Sequence, residues 1–202
     1  MDGKAQLVLS LHSIGAIKFG AYKLKSGIIS PFYLDLRILV SYPRVLRETA
    51  QVMAELLATL KFDRLAAIPY AALPIGAALA LEMDRPLIYP RREKKDYGTG
   101  HAVEGEYHAG ETIVVIDDVI TTGASKIEAI EPLMTAKLKV RDIVVLVDRE
   151  QGGAKEIAKR GFNVHSVYRV TEMMEILRQA GKVTESQQRD VLSFLAQNGA
   201  VS

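Results

Sequence analysis

Cysteine is absent from the 202 residues, which excludes disulfides, thiolate zinc sites and a cysteine nucleophile, and fits a reducing compartment. The four histidines, His12, His101, His108 and His165, show no metal-ligand spacing. Charge of one sign is also scarce: a formal net charge of +2 is too small by itself to indicate a nucleic-acid or membrane binder. No apolar run approaches the roughly 20 residues needed to cross a bilayer. The stretch 5–17 is apolar, but His12 interrupts it and no small-residue cleavage site follows, so an amphipathic helix is expected there rather than a signal peptide. A soluble, cytoplasmic protein is the expectation.

What is present is ordinary globular chemistry, with 49% hydrophobic and 25% charged residues in a length suited to one domain, 1–202. From residue 62 onward, short Val/Ile/Leu-rich runs at 64–70, 85–90, 112–118, 142–148 and 163–170 alternate with helical periodicity at 75–83, 124–138, 154–160, 171–179 and 185–197. That alternation predicts an α/β fold with a mostly parallel sheet. Unbroken apolar character at 113–116 and 143–147 places helices on both faces of those strands. Thr184 and Gln187 form a capping-box pattern for the last helix. Ahead of the sheet, 42–60 reads as a long amphipathic helix with Val45, Ala50, Met53, Leu56, Leu57 and Leu60 on one face. Turn chemistry at Ser26-Gly27 and Ser30-Pro31 between β-prone stretches predicts a small strand-rich cap within about residues 1–40. The polar, glycine-bearing stretch 91–110 is long for a connection inside a compact domain.

The chemistry concentrates at 112–130, TIVVIDDVITTGASKIEAI. If 112–117 is a strand of an open parallel sheet, Asp118 and the following loop fall at its carboxyl end, where such sheets place ligands. Thr121, Thr122, Gly123, Ala124 and Ser125 then lead into a helix, offering hydroxyls, backbone N–H groups and the positive end of a helix dipole, a set suited to a phosphate monoester. Neither G-x-x-x-x-G-K-[ST] nor G-x-G-x-x-G is present. Asp117 and Asp118 are acceptors and fit a vicinal diol rather than the phosphate. A ribose 5-phosphate satisfies both halves. The plainer alternatives are a helix start after an ordinary strand with solvated or metal-binding acids, and a receiver-type phosphorylation domain, which also shows paired acids.

This strand, acid pair and threonine- and glycine-rich loop resemble the signature of the type I phosphoribosyltransferases. More narrowly, FGAYKLKSGIISPFYLDLR, IPYAALPIGAA, RREKKDYGTGHAVEG, VVIDDVITTGAS and VLVDREQGG resemble stretches of orotate phosphoribosyltransferase in its order and approximate spacing. The resemblance implies that family's fold with an N-terminal hood, and transfer of a 5-phosphoribosyl group from phosphoribosyl pyrophosphate to orotate in the making of UMP. It also implies magnesium bound mainly through donor oxygens and water, and a homodimer in which the 91–108 loop closes over the neighbouring site. Charge separation as the anomeric bond breaks makes cations near the pyrophosphate valuable.

Residue by residue, the resemblance puts the catalytic lysine of the loop on Lys95 rather than Lys94, and puts Arg91 and Arg92 on pyrophosphate. Gly98 and Gly100 suit a closing loop. Tyr97 stands where some relatives have a histidine, and His101 is expected to face solvent. Tyr70 and the amides after it approach the donor, with Ala71 where some relatives carry a lysine; Pro74 and Gly76 also suit a plain turn and helix start. Lys25 and Arg149 match positions around the base. Arg149 is independently favoured by its place at a strand's carboxyl end, since orotate's carboxylate needs a fixed cation. Phe32 and Tyr33 are expected over the pyrimidine. Two rival functions remain at this stage: a phosphoribosyltransferase for another base, and a non-enzymatic nucleotide-sensing regulator of the same fold. In either enzyme, Asp117→Asn and Asp118→Asn are expected to harm catalysis far more than folding.

Overall fold

The computed structural model describes residues 3–24, 27–91 and 102–199. Its centre is a six-stranded sheet built from β3 (Arg64–Ala67), β4 (Leu87–Pro90), β5 (Val103–Glu104), β6 (Thr112–Ile120), β7 (Lys139–Asp148) and β8 (Asn163–Arg169), in the spatial order β5-β4-β3-β6-β7-β8. Five strands are parallel and β5 pairs antiparallel to β4 at the edge. The runs 113–116 and 143–147 are wholly buried, as their continuous apolar character predicts. Side chains alternate across the sheet. Val114 and Ile116 join the cluster formed with helices α1 (Gly3–Ser13), α2 (Pro43–Leu57), α3 (Ala72–Met83), α6 (Val170–Gln179) and α7 (Glu185–Asn198). Ile113 and Val115 face the opposite cluster, with Ile130 and Leu133 of α4 (Ala124–Thr135) and Ile157 of α5 (Gly153–Ala158). Each such side chain contributes about 1.5–3 kcal/mol on burial.

The cap is an antiparallel pair, β1 (Ile17–Lys23) and β2 (Ile29–Leu34), followed by a 3-10 turn at Leu36–Ser41. Of the two turn signals, Gly27 sits in one, with φ of 87° and its N–H donating to the Leu24 carbonyl at 2.9 Å. Ser30 and Pro31 instead lie inside β2. The ladder is irregular between Phe19 and Tyr22, opposite Pro31, and a bulge is where a strand tolerates a residue without an N–H.

The amphipathic helix expected at 42–60 begins with Pro43 in its first turn and ends at Leu57; Leu60 falls beyond it, and both Leu56 and Leu60 are only partly buried. The apolar 5–17 stretch divides into α1 and the start of β1 around Gly15, whose φ of 75° reverses the chain. Helix α3 starts at Ala72, three residues ahead of the expected position, because a proline such as Pro74 is harmless in a first turn. Strand β5 lies within the polar 91–110 stretch and had no apolar pattern to announce it. Among the described residues no helix is long and apolar enough to cross a membrane.

The capping box at α7 is formed: Thr184 Oγ1 accepts the Gln187 N–H at 3.1 Å and Gln187 Oε1 accepts the Thr184 N–H at 2.9 Å. Thr184→Ala is expected to lower unfolding free energy by about 1 kcal/mol. Denaturant titration checks this, with m unchanged.

Candidate functional site

From β3 the chain runs outward to β4, then returns to place β6 on the other side of β3. The loops leaving the carboxyl ends of β3 and β6 therefore diverge, opening the crevice in which sheets of this kind bind ligands. Three segments meet there: Ile68 to Ala71 after β3, the acids near the end of β6 with the loop that follows it, and Arg149 after β7; the strand expected to stop at 117 runs on to Ile120, because Val119 and Ile120 continue the ladder with Val147 and Asp148. Arg149 is locked beside the β6 motif because its N–H donates to the Ile120 carbonyl at 3.0 Å.

The two acids occupy unlike environments. Asp118 is half-buried, and one of its oxygens accepts the Val119 N–H at 2.8 Å. Asp117 is buried on the α4 side of the sheet. Its Oδ1 accepts the Asp118 N–H at 2.8 Å, and its Oδ2 is ion-paired with Lys126 Nζ. Burial, opposed by Lys126 and reinforced by the adjoining Asp118 charge, pushes the Asp117 carboxyl up to about 7. Asp118 is thus the more open acceptor for a diol, while Asp117 keeps lone pairs but is held from behind.

Lys126 went unnoticed in the sequence, although a signal was there. A cation in the first turn of a helix faces the positive end of the dipole, so a lysine three residues after Gly123 calls for a compensating acid. Asp117 is that acid.

Gly123 caps α4 with φ of 85° and brings no side-chain acceptor to the first turn, in which the Lys126 N–H donates to the Gly123 carbonyl at 3.0 Å and the N–H groups ahead of it suit an anion. A Cβ at Gly123 would lie 3.0 Å from both the Gly153 carbonyl oxygen and Ile157. Gly153 in turn donates its N–H to the Thr121 carbonyl at 2.9 Å. The loop 121–123 is therefore clamped by the start of α5. Thr122 is exposed and Thr121 half-buried, both on the turn that ends at Ala124 and Ser125.

Arg149 is buried. Its guanidinium lies 4.7 Å from the centre of the Phe32 ring, and its Nη2 donates to Ser30 Oγ at 3.4 Å. Its Nε has no hydrogen-bond partner and, among the described residues, no carboxylate pairs with it. Burial, partly offset by Tyr33, draws its pKa below the ordinary guanidinium value. Phe32 is itself wholly buried, its edge against Phe194 at 6.1 Å between centroids. What Phe32 presents to the crevice is the cation it carries. Tyr33, half-buried on the alternate face of β2, stacks on Tyr22 at 5.5 Å and accepts from Arg37 at 3.0 Å.

Tyr70 is 58% exposed in the turn after β3, and the Pro69–Tyr70 peptide is cis. Arg91 is ion-paired with Glu104, and its backbone N–H donates to the Ala102 carbonyl at 2.8 Å. It closes the base of the segment that follows. Lys25, Arg92, Lys94, Lys95, Tyr97 and His101 lie outside the described residues.

The phosphoribosyl transferase domain family matches residues 37–176, and the chain belongs to that family. Its relatives narrow the class. The orotate phosphoribosyltransferase of Pyrobaculum islandicum is 39% identical over 91% of this chain and 95% of its own length. The uridine 5'-monophosphate synthase of Bos taurus is 39% identical over 97% of this chain. Among solved structures, a UMP synthase from Leishmania donovani superposes with a TM-score of 0.90 at 43% identity, covering 97% of this chain. Orotate phosphoribosyltransferase from Aeropyrum pernix superposes at 0.75 with 33% identity, over 88% of this chain and 99% of its own. The chain spans 41% of the Bos taurus synthase and 43% of the Leishmania donovani chain, but nearly all of the two archaeal proteins. Within the phosphoribosyltransferases it is a member of the orotate branch.

Pairing with Lys126 changes what the acid variants should do. Asp118→Asn is expected to weaken donor binding with little change in Tm. Asp117→Asn should lower both, because an ammonium left buried without its partner costs about 3–5 kcal/mol. Calorimetric Tm beside titration with phosphoribosyl pyrophosphate separates the two; equal Tm for both variants would contradict this difference.

Proposed function

We propose that this chain transfers the 5-phosphoribosyl group from phosphoribosyl pyrophosphate to a ring nitrogen of orotate, forming orotidine 5-monophosphate and pyrophosphate in UMP biosynthesis. The observation that carries the proposal is Arg149, a buried guanidinium whose Nε has no partner among the described residues. A cation in that state is costly unless an anion joins it. Orotate differs from uracil by a carboxylate, and the end of β7 is within the same crevice as the β6 motif. The whole arrangement then has one occupant for each charged feature.

In this scheme the sugar's 5-phosphate sits on the first turn of α4, received by the N–H groups and the hydroxyls of Thr121, Thr122 and Ser125. Asp118, with Asp117 behind it, accepts from the ribose hydroxyls and fixes the ring. Arg149 holds the base by its carboxylate, so that the nucleophilic nitrogen and the anomeric carbon meet in a fixed orientation. As the bond to pyrophosphate breaks, Lys95 and Arg92 meet the growing negative charge from the loop, with Tyr70 at the turn after β3. Lys25, Tyr33 and Tyr97 complete the surroundings of base and donor.

Magnesium enters this scheme with the donor, neutralising the diphosphate. An ion that retains its waters and is bound to phosphate oxygens would need few ligands from the protein. A homodimer belongs to the same proposal, the loop of one copy serving the site of the other. In that case, subunits carrying Lys95→Ala mixed with subunits carrying Asp118→Asn should recover activity that neither has alone.

The direct test is spectrophotometric loss of orotate, which should require both phosphoribosyl pyrophosphate and magnesium. Lys95→Ala is expected to lower kcat by about 100- to 1,000-fold, the loss of one transition-state donor. Arg149→Met should raise the KM for orotate by at least about tenfold while leaving donor binding intact. Equal rates with uracil in the wild type would replace orotate as the acceptor, and tight donor binding without turnover on any base would turn the proposal toward a regulator.

A further inference from the structure

The Lys126–Asp117 pair is an odd choice if stability were its only purpose. Both side chains are nearly excluded from solvent, at 8% and 6% exposure. Burying two charges to make one pair rarely gains over a well-packed apolar pair of the same volume. The lysine also stands in the first turn of α4, where the helix dipole disfavours a cation. Two separate costs are carried at one position, and that position joins two parts of the crevice.

On one side of the pair is the end of β6. Asp117 Oδ1 accepts the Asp118 N–H, so the carboxylate that Lys126 grips also orients the peptide that carries Asp118. On the other side is the start of α4. Lys126 donates its own N–H to the Gly123 carbonyl at 3.0 Å and belongs to the turn whose amides face a phosphate. The pair spans the base of the loop 118–125, from the diol end to the phosphate end. Resting on the donor-site reading above, we infer that Lys126 is a positioning residue. Its ammonium fixes the Asp117 carboxylate, and through it Asp118 and the first turn of α4, at the separation that a ribose 5-phosphate requires.

Among the described residues the charged groups facing Asp117 are few. Asp118 comes from its own strand and Lys126 from α4. Its register partner on β7 is Val145, β3 brings Ala67 and Ile68 alongside Ile116, and α5 contributes Ile157 to the same cluster. None of these four titrates. With Lys126 removed, nothing on those elements opposes the desolvation of Asp117 or the repulsion from Asp118. The carboxyl would then take up a proton at a higher pH than in the wild type, and a neutral Asp117 would orient Asp118 less firmly. The acid limb of donor binding should therefore move upward.

The test is calorimetric titration of phosphoribosyl pyrophosphate with magnesium, between about pH 6 and pH 9. The proteins are the wild type, Lys126→Met, Lys126→Arg and the Lys126→Met/Asp117→Asn double variant, each with its Tm recorded. Lys126→Met is expected to lose about tenfold or more in affinity at neutral pH and to regain most of it at the alkaline end, its acid limb displaced upward by about one unit or more. Lys126→Arg should keep the wild-type limb. The double variant should bind weakly with no limb in this range. A loss in Lys126→Met that is the same at every pH, or affinity equal to wild type throughout, would overturn the inference. If Lys126→Met does not fold, the other two proteins decide: a double variant that retains the acid limb is equally fatal. Failure of the wild type to bind the donor at any pH removes the underlying donor-site reading. Wild-type binding with an unmoved limb in the variants removes the inference alone.

Discussion

Taking a charge out of water is affordable only when something of opposite sign stands against it, and that constraint organises the carboxyl end of this sheet. Three charged side chains, Asp117, Lys126 and Arg149, are buried there, and they are treated in two opposite ways. Asp117 is closed within the chain by Lys126 and the Asp118 N–H. Arg149 is given an aromatic face and a hydroxyl, neither of which carries charge. The first arrangement completes a structure; the second leaves a demand that a ligand's carboxylate can meet. The distinction between a buried charge that is satisfied and one that is not separates the framework of the crevice from its recognition surface.

The residues that meet in this crevice are spread over more than a hundred positions, from Ser30 to Arg149, and the sheet is what brings them together. Strand β6 pairs with β3 on one side and β7 on the other; β3 ends opposite Ile116, level with the acids, while β6 and β7 run on together to Ile120 and Asp148. Side-chain rotamers there are set by packing against two apolar clusters rather than by solvent. Preorganisation of this kind suits a reaction whose demands are orientation and placement of charge, with little covalent chemistry asked of the protein. The clamp of Gly153 on Thr121 and the tight surroundings of Gly123 extend the same stiffness into the loop itself.

Much of this was legible in the sequence because the signals were local and strong. Five apolar runs marked the five parallel strands, and a Thr-x-x-Gln pattern marked the start of α7. The acids and small residues of 117–125 announced a site by their order alone. What was not legible depended on partners distant in sequence. Phe32 looked like a stacking aromatic, and only the meeting of β2 with α7 and the end of β7 shows it buried as the support of Arg149. Lys126 in a first turn calls for an acid, but which acid answers it depends on how that turn folds back over the end of β6. Strand β5 is two residues long, too short to show a pattern in the sequence, and is defined by its pairing with β4.

At the far edge of the sheet, Arg91 and Glu104 join their side chains while the Arg91 amide reaches the Ala102 carbonyl, so the chain departs from β4 and re-enters at β5 through a single clasp. Closing a segment at its root makes the entropic penalty of lengthening it grow only logarithmically. Insertions or deletions between those two points are therefore insulated from the sheet. That edge is a place where this architecture can take up a different connection, in evolution or by grafting, and leave the sheet beneath unchanged.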